Sequence, residues 1–404
     1  MPVTSAGKVG PKDFMVLAVL GRGGYGKVLL VQHTGTRALY AMKTLKKSAV
    51  IRRKQVGRTM VEKLILERVA HPFIVNLVFS FQTRKKLYMV MEYVMGGDLF
   101  TLLSTRGLAS EPRARLYMAE MILALEHLHA AGVVYRDLKP ENVLLDAEGH
   151  LKLTDFGLSR LSNREGQSVA DSVASAVASA THLPSAAEEA TFSFCGTEQY
   201  MAPEMLLQKG AGAAADWFSL GIVFSEMMTG RHPFRGASHL DTLRNIVNPN
   251  VPPATVSSLS PSAGALLVGL LHVDPERRLG SEAAGGVAAL KSAPFFAGVD
   301  WDVVAARGYQ PLYVPRIQGG ADTSNFDTAF TREAPVDSTA SSVAGADPDK
   351  FAAIFAELPF TADGRAGDSG DTWRFPGFSF ADQDALGEAV ADAVDEVLGA
   401  GAGQ

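Results

Sequence analysis

Asp137 and Asn142 stand five residues apart, and Asp155 follows thirteen beyond Asn142. Their oxygens are hard ligands of the kind that hold Mg2+, and the set leaves one carboxylate to act on a hydroxyl. They lie in two short runs, Tyr135-Arg136-Asp137-Leu138-Lys139-Pro140-Glu141-Asn142 and Asp155-Phe156-Gly157. Upstream, Lys43 sits in the strand-like Ala41-Met42-Lys43, and Glu62 comes nineteen residues later in a helix-like stretch, 59–69. A cation held by a carboxylate can grip the α- and β-phosphates of a nucleotide. Ahead of both is Gly21-Arg22-Gly23-Gly24-Tyr25-Gly26-Lys27-Val28. Glycines let a backbone turn lie close to phosphates with no side chain in the way. A dinucleotide fold would place a helix directly after the last glycine. Here Val28-Leu29-Leu30-Val31 is β-like, and no strand–helix–strand repeat follows, so a hairpin over a nucleotide fits better. Phosphoryl transfer needs positioning and charge neutralisation more than covalent chemistry from the protein, and Gly, Lys, Asp and Asn supply both.

These residues must be held by two unlike units. Strand-like runs, 40–45 and 87–94, come early. Later stretches read as helices: 114–132 has apolar residues at helical spacing and ends at Gly132, while 216–230 is apolar nearly all round and predicts a buried helix. Strands first and helices later imply an α+β architecture of two lobes. Residues 161–190, with the Ser/Ala run 168–180, lack a large apolar face and read as a mobile loop inserted after Asp155-Phe156-Gly157. From Ala297 the chain turns rich in Pro, Gly, Asp and Ser with isolated aromatics, which reads as a tail draped over a surface. Residues 381–404 are Ala-rich and acidic.

Composition narrows the class. The 404 residues carry a net charge of −5 and 47% hydrophobic residues, which excludes a wholly disordered chain and disfavours a nucleic-acid partner. One cysteine, Cys195, allows no intrachain disulfide and points to a reducing compartment. No run of eighteen apolar residues exists, so no membrane span is expected, and the opening MPVTSAGKVGPKD has no leader-like apolar run.

Further motifs complete a series: HPFIV (71–75), FQTRKKLYMVMEY (81–93), LTDFGLS (153–159 with Leu153 first), SFCGT (193–197), YMAPE (200–204) with Asp216, SNFD (324–327), TREAPVDS (331–338) and FPGFSF (375–380). Together with YRDLKPEN they resemble a eukaryotic Ser/Thr protein kinase of the AGC group, and within it the ribosomal S-six kinase branch. The resemblance covers residues 14–380. It implies a bilobal protein kinase fold: a small β-rich N-lobe (14–94) with one regulatory helix, a larger α-helical C-lobe (95–296), and an AGC-type C-terminal tail (297–380). Residues 1–13 and 381–404 would be extensions. It also implies ATP and Mg2+ as cofactors, protein substrates, and a monomer in the cytoplasm or nucleus.

The same resemblance assigns roles. Asp137 would orient and deprotonate the substrate hydroxyl, and Lys139 would stabilise the transferred phosphoryl. Asn142 and Asp155 would hold Mg2+. Lys43 and Glu62 would pair in the active state. Met91 matches the gatekeeper and Glu92 to Val94 the adenine-binding hinge. Leu20, Val28, Ala41 and Leu144 would sandwich the adenine below Gly21, Gly23 and Gly26, with Phe326 closing the pocket. Asp98, Glu141 and Glu226 would face arginines at minus-three and minus-two of the substrate. Ser193, Ser338 and Ser379 match phosphosites. Arg58, Arg136 and Arg160 would clamp phosphate on Ser193, placed there by an upstream kinase. Phe375, Phe378 and Phe380 would dock beside the Glu62 helix. Tyr135 is usual for the AGC group, whereas Gln199 stands where the group carries Glu, which leaves fine specificity open. A kinase-like scaffold of weak activity is the alternative, and it would be marked by loss of Lys43, Asp137 or Asp155; all three are present.

Overall fold

The computed structural model describes residues 9–23, 26–161, 196–337, 375 and 377–381. The tip of the glycine-rich turn, the inserted loop from residue 162 with Ser193 and Cys195, Ser338, and everything beyond Ala381 lie outside the described residues.

Strands β1 (Phe14–Arg22), β2 (Gly26–His33), β3 (Leu39–Lys46), β4 (Leu77–Gln82) and β5 (Lys86–Glu92) form an antiparallel sheet in the order β1-β2-β3-β5-β4. Strand β5 shows why its sequence is apolar at successive positions. Leu87, Met89 and Met91 join the core shared with the helices, while Tyr88 and Val90 join a second cluster with Phe14, Val19, Leu29 and Phe79. Side chains alternate across a strand, so burial on both faces requires an unbroken apolar run. Between β3 and β4 lie α1 (Lys47–Arg52), which no sequence signal announces, and α2 (Val56–Arg68), which carries Glu62.

The C-lobe starts at α3 (Leu99–Arg106). Helix α4 (Glu111–Ala130) begins three residues before the apolar pattern does, with Pro112 in its first turn, where a missing N–H costs nothing. It stops just before Gly132, at φ 75°. Two short antiparallel pairs follow: β6 (Val133–Val134) with β9 (Arg160–Leu161), and β7 (Val143–Leu145) with β8 (Leu151–Leu153). After a short α5 (Pro203–Leu206), the apolar stretch forms α6 (Ala214–Thr229), capped by Gly230 at φ 70°. Trp217, Phe218, Leu220, Ile222, Val223, Phe224 and Met227 of α6 are all buried, and α4 packs against it. Helices α7 (His239–Val247), α8 (Pro253–Ser257), α9 (Pro261–Leu270), α10 (Gly286–Lys291) and α11 (Trp301–Ala305) complete the lobe. Packing continues past residue 296, since α11 lies against α4.

The tail then climbs from one lobe to the other. Arg307 pairs with Asp146 and, at 3.4 Å, with Glu148. A Cβ on Gly149 (φ 93°) would sit 2.0 Å from the Tyr313 carbonyl, and one on Gly97 (φ 77°) 2.3 Å from that of Asn325. These two glycines let the tail backbone lie directly on the body. Asn325 Nδ2 donates to the Met95 carbonyl at 3.1 Å. Helix α12 (Thr328–Thr331) packs on β1, with Phe330 against the second apolar cluster. Finally β10 (Phe380–Ala381) pairs antiparallel with β4, Phe380 opposite Ser80, at the sheet edge.

Candidate active site

The interlobe cleft is built from three short pieces of backbone. The β7–β8 hairpin sets Val143 opposite Leu153, and Thr154 N donates to the Asn142 carbonyl at 3.0 Å. Asn142 and Asp155 therefore emerge side by side. Both amide hydrogens of Asn142 are committed to Asp137, at 2.9 Å to its carbonyl and 2.7 Å to Oδ2. That orients the amide oxygen as the remaining ligand atom. Lys139 Nζ reaches both oxygens of Asp137, at 3.0 and 2.9 Å.

The loop that carries Asp137 is braced from below. Asp216, wholly buried in the first turn of α6, accepts from Tyr135 N at 2.9 Å and Arg136 N at 2.7 Å, and its Oδ2 lies 2.7 Å from His129 Nε2. Arg136 sits at φ 67°, a left-handed conformation that a non-glycine residue keeps only when its surroundings hold it. Asp216 is one of two carboxylates, with Glu226, in a largely apolar helix, and its place in the motif series was the sequence signal for this brace.

From the N-lobe, Lys43 Nζ meets Glu62 Oε1 at 2.5 Å and Asp155 Oδ1 at 3.0 Å. Burial opposes the ammonium, but the Asp155 and Glu62 carboxylates outweigh it and push the Lys43 pKa up. Lys43 in turn holds the Asp155 carboxyl below the usual range. Asp155 is also left-handed, at φ 58°, and Phe156 is buried with its ring 5.2 Å from that of Tyr135. A Cβ at Gly157 would stand 3.3 Å from Asp155 Oδ1 and 3.7 Å from Glu62 Oε2, so bulk there would crowd the ion pair.

Burial pushes the Asp137 carboxyl up to about 6; Lys139 pulls the other way, and Asp155 adds to the rise. A carboxylate tuned toward neutrality is matched to accepting a proton from a hydroxyl.

The residues expected to form the apolar slot come from β1, β2, β3, β5, β7 and the segment just after β5. Leu20, Met91 and Val94 are buried, while Val28, Ala41 and Leu144 keep partly exposed faces. Such a slot suits a flat heteroaromatic ring. Phe326 stacks on Tyr93 of the hinge at 5.8 Å, and Tyr93 Oη donates to the Asp322 carbonyl at 2.6 Å. The Glu92 carboxylate accepts from Lys152 at 3.0 Å and Asn76 N at 2.8 Å, so its side chain is structural. The glycines differ in what they allow. A Cβ on Gly21 or Gly23 would meet nothing within 4 Å, whereas one on Gly26 would fall 1.5 Å from the Thr44 carbonyl. Gly26 is needed for the passage of β2 along β3, and the other two leave the roof of the slot bare.

The three expected substrate carboxylates are placed unequally. Glu226 accepts from Tyr200 Oη at 2.9 Å and is pushed up to about 7, mainly by burial and further by Glu141 nearby. Asp98 caps α3, accepting from Thr101 N at 2.7 Å and Thr101 Oγ1 at 3.0 Å. Glu141 is exposed. The three arginines of the expected phosphate clamp are placed as follows. Arg58 donates to Gln55 at 3.3 Å, Arg136 donates to the Ala211 carbonyl at 3.3 Å, and Arg160 is exposed on β9. Gln199 lies 3.0 Å from His239, which is 3.2 Å from Glu198. Glu204 grips the fully buried Arg278 in a fork, at 2.7 and 2.9 Å.

The aromatic tail motif docks on β4 and α2. Phe375 and Phe378 are buried. Gln82 exchanges two hydrogen bonds with the Phe375 backbone, at 2.7 and 3.0 Å, and Ser80 Oγ donates to the Phe378 carbonyl. Lys63, buried beside Glu62, donates to the Gly377 carbonyl at 3.0 Å and lies 5.7 Å over the Phe380 ring. Lys47 stands 5.3 Å over Phe375. The Ser379 side chain is exposed. Sequence reading missed Lys63 and Gln82, because nothing local to either announces a partner some 300 residues away.

Comparison with known proteins agrees with this geometry. Residues 14–296 match the protein kinase domain, and residues 317–380 the protein kinase C terminal domain. The chain is 43% identical over 327 residues to protein kinase 2 of Dictyostelium discoideum, covering 81% of this chain and 62% of that protein. It is 44% identical over 334 residues to human ribosomal protein S6 kinase alpha-6, covering 82% and 41% respectively. Identity to a RAC family serine/threonine-protein kinase homolog of Dictyostelium discoideum is 41% over 328 residues, 81% of this chain and 68% of that one. The chain spans less than two thirds of the length of the first two of these relatives. The chain belongs to the serine/threonine protein kinase family, with the C-terminal domain of the AGC group.

Proposed function

We propose that this protein transfers the γ-phosphoryl of ATP to Ser and Thr hydroxyls of proteins. The observation that carries the reading is the meeting of two lobes at one point. The N-lobe delivers Lys43, fixed by Glu62, to Asp155, and the C-lobe delivers Asp137 with Lys139 and Asn142. In this reading the apolar slot takes the adenine, and Lys43 holds the phosphates. Asp155 and the Asn142 amide oxygen, a hard-donor pair, are suited to Mg2+, which when bound neutralises phosphate charge. Asp137 accepts the hydroxyl proton, and Lys139 faces the charge that develops on the transferred group.

Buried Glu226, with Glu141 beside it, supports a preference for arginine upstream of the acceptor. An ionised guanidinium would draw Glu226 back to its charged form in a charge-assisted pair. Regulation by phosphate on Ser193, Ser338 and Ser379, with an upstream kinase acting on Ser193, follows from the motifs, and the exposure of Ser379 is compatible with it.

The test is radiolabel transfer from ATP to an Arg-Arg-containing Ser peptide, with Asp155→Asn as control. Asparagine tolerates the left-handed backbone at this position better than alanine would, so the fold should survive. Transfer should disappear, because a neutral amide offsets less metal charge. Nucleotide binding without transfer by the native protein would favour the scaffold alternative, and undiminished turnover in Asp155→Asn would refute the metal role.

A further inference from the structure

The stem of the glycine-rich turn carries an unusual charge arrangement. Arg22 and Lys27 are directly opposed across β1 and β2, the last pair before the turn that the Gly23 N to Gly26 carbonyl bond closes at 3.0 Å. Like charges facing each other across a strand pair repel. One tail residue answers both. Glu333, two residues beyond α12, places Oε2 2.5 Å from Lys27 Nζ and Oε1 3.7 Å from Arg22 Nη1. Lys27 is the stronger partner: its side chain is 16% exposed against 62% for Arg22, and it holds the Glu333 carboxyl below its ordinary value. Thr44 Oγ1 donates to the Lys27 carbonyl at 3.2 Å, so the backbone beneath the carboxylate is tied to β3, one residue from Lys43.

The segment has a second fastening four residues on. Asp337 accepts from Tyr88 Oη at 2.9 Å and pairs with Lys86, both on β5. Glu333 therefore touches the stem of the turn, while Asp337 touches only the middle of the sheet. Along the tail, Phe330 supplies an apolar anchor between Phe326, which stacks on Tyr93, and these two carboxylates.

We propose that Glu333 is a positioning residue for the nucleotide phosphates, acting through Lys27 and Arg22 on the stem of the glycine-rich turn. The proposal rests on the ATP-dependent reading above. The carboxylate quiets the repulsion between the two cations and holds the stem at one height over the slot. Without it the stem is freer to splay, and the bare Gly21 and Gly23 roof follows it.

The experiment compares Glu333→Gln, Asp337→Asn and the exchange Lys27→Glu with Glu333→Lys. KM for ATP, KM for the peptide and kcat are measured separately. Solvent screens a pair this exposed, so the rise in KM for ATP in Glu333→Gln should be modest, about twofold. The peptide KM should stay put, and the exchange variant should recover part of the loss. Asp337→Asn should change KM for ATP less than Glu333→Gln does. Equal KM for ATP in Glu333→Gln and native enzyme would overturn the proposal. So would an equal rise in Asp337→Asn, which would place the effect in general tail docking. A native protein that transfers no phosphoryl at all would instead overturn the ATP-dependent reading.

Discussion

Asp137 and Glu226 are both raised by burial, and they should be visible in different kinetic constants. Asp137, pushed up to about 6, would act on the bound hydroxyl in the proposed reading and must be ionised to accept its proton. Its pKa lies above the ordinary carboxylate value, so the active form is lost as pH falls through about 6, and kcat should decline there. Glu226, pushed up to about 7 by burial, would meet the substrate arginine in the proposed reading. It too is active when charged, so KM for an arginine-containing peptide should rise as pH drops from 8 to 6. In Glu226→Gln that dependence should vanish while the kcat limb remains. Steady-state kinetics across this range checks both, and a KM profile unchanged by Glu226→Gln would remove this residue from substrate recognition.

Among the elements, the docked aromatic motif shows where sequence reading reached and where it stopped. Phe378 is wholly buried between β4 and α2, and truncating a buried phenylalanine costs about 3–5 kcal/mol. Phe378 is the most deeply buried residue of the docked stretch, so Phe378→Ala should loosen that stretch rather than unfold the lobe. Phosphoryl transfer should fall severalfold and protease cleavage near residue 375 should speed up, with little change in the melting temperature of the body. A tail as protected as in the native protein would count against this. The docking of these aromatics was legible because phenylalanines in a polar segment demand cover. So was the Asp137–Asn142–Asp155 series, whose members lie on neighbouring turns of one continuous stretch. Lys63 was not legible: a lysine one residue after Glu62 reads as a solvated charge, and its burial follows from its pairing with Glu67 together with the Gly377 carbonyl and the Phe380 ring that the tail brings to it. Gly26 was legible as a glycine but not for its reason, since the Thr44 carbonyl that excludes a side chain belongs to the next strand. Helix α1 was invisible because six residues carry too little periodicity to register.

Across the whole molecule, the tail joins both lobes, resting on Gly149 and Gly97 and then fastening on β2, β5 and β4. Its last contact has a consequence for the chain as one molecule among many. β10 is only two residues long, yet it occupies the free side of β4, whose sequence is Leu77-Val78-Phe79-Ser80-Phe81-Gln82. Uncovered, that strand would offer unpaired N–H and carbonyl groups beside aromatic and branched side chains, a template for pairing with another copy. Deleting residues 370–404 should therefore do more than lower activity severalfold. The shortened protein should self-associate as its concentration rises, seen as growing light scattering. A single Lys in place of Phe79 would not be a fair control, since Phe79 is core; a charged residue at the rim, Gln82→Lys, should suppress the association. In the intact chain, then, the segment beside the Glu62 helix also acts as a guard on solubility, and its undocking would expose a sticky edge.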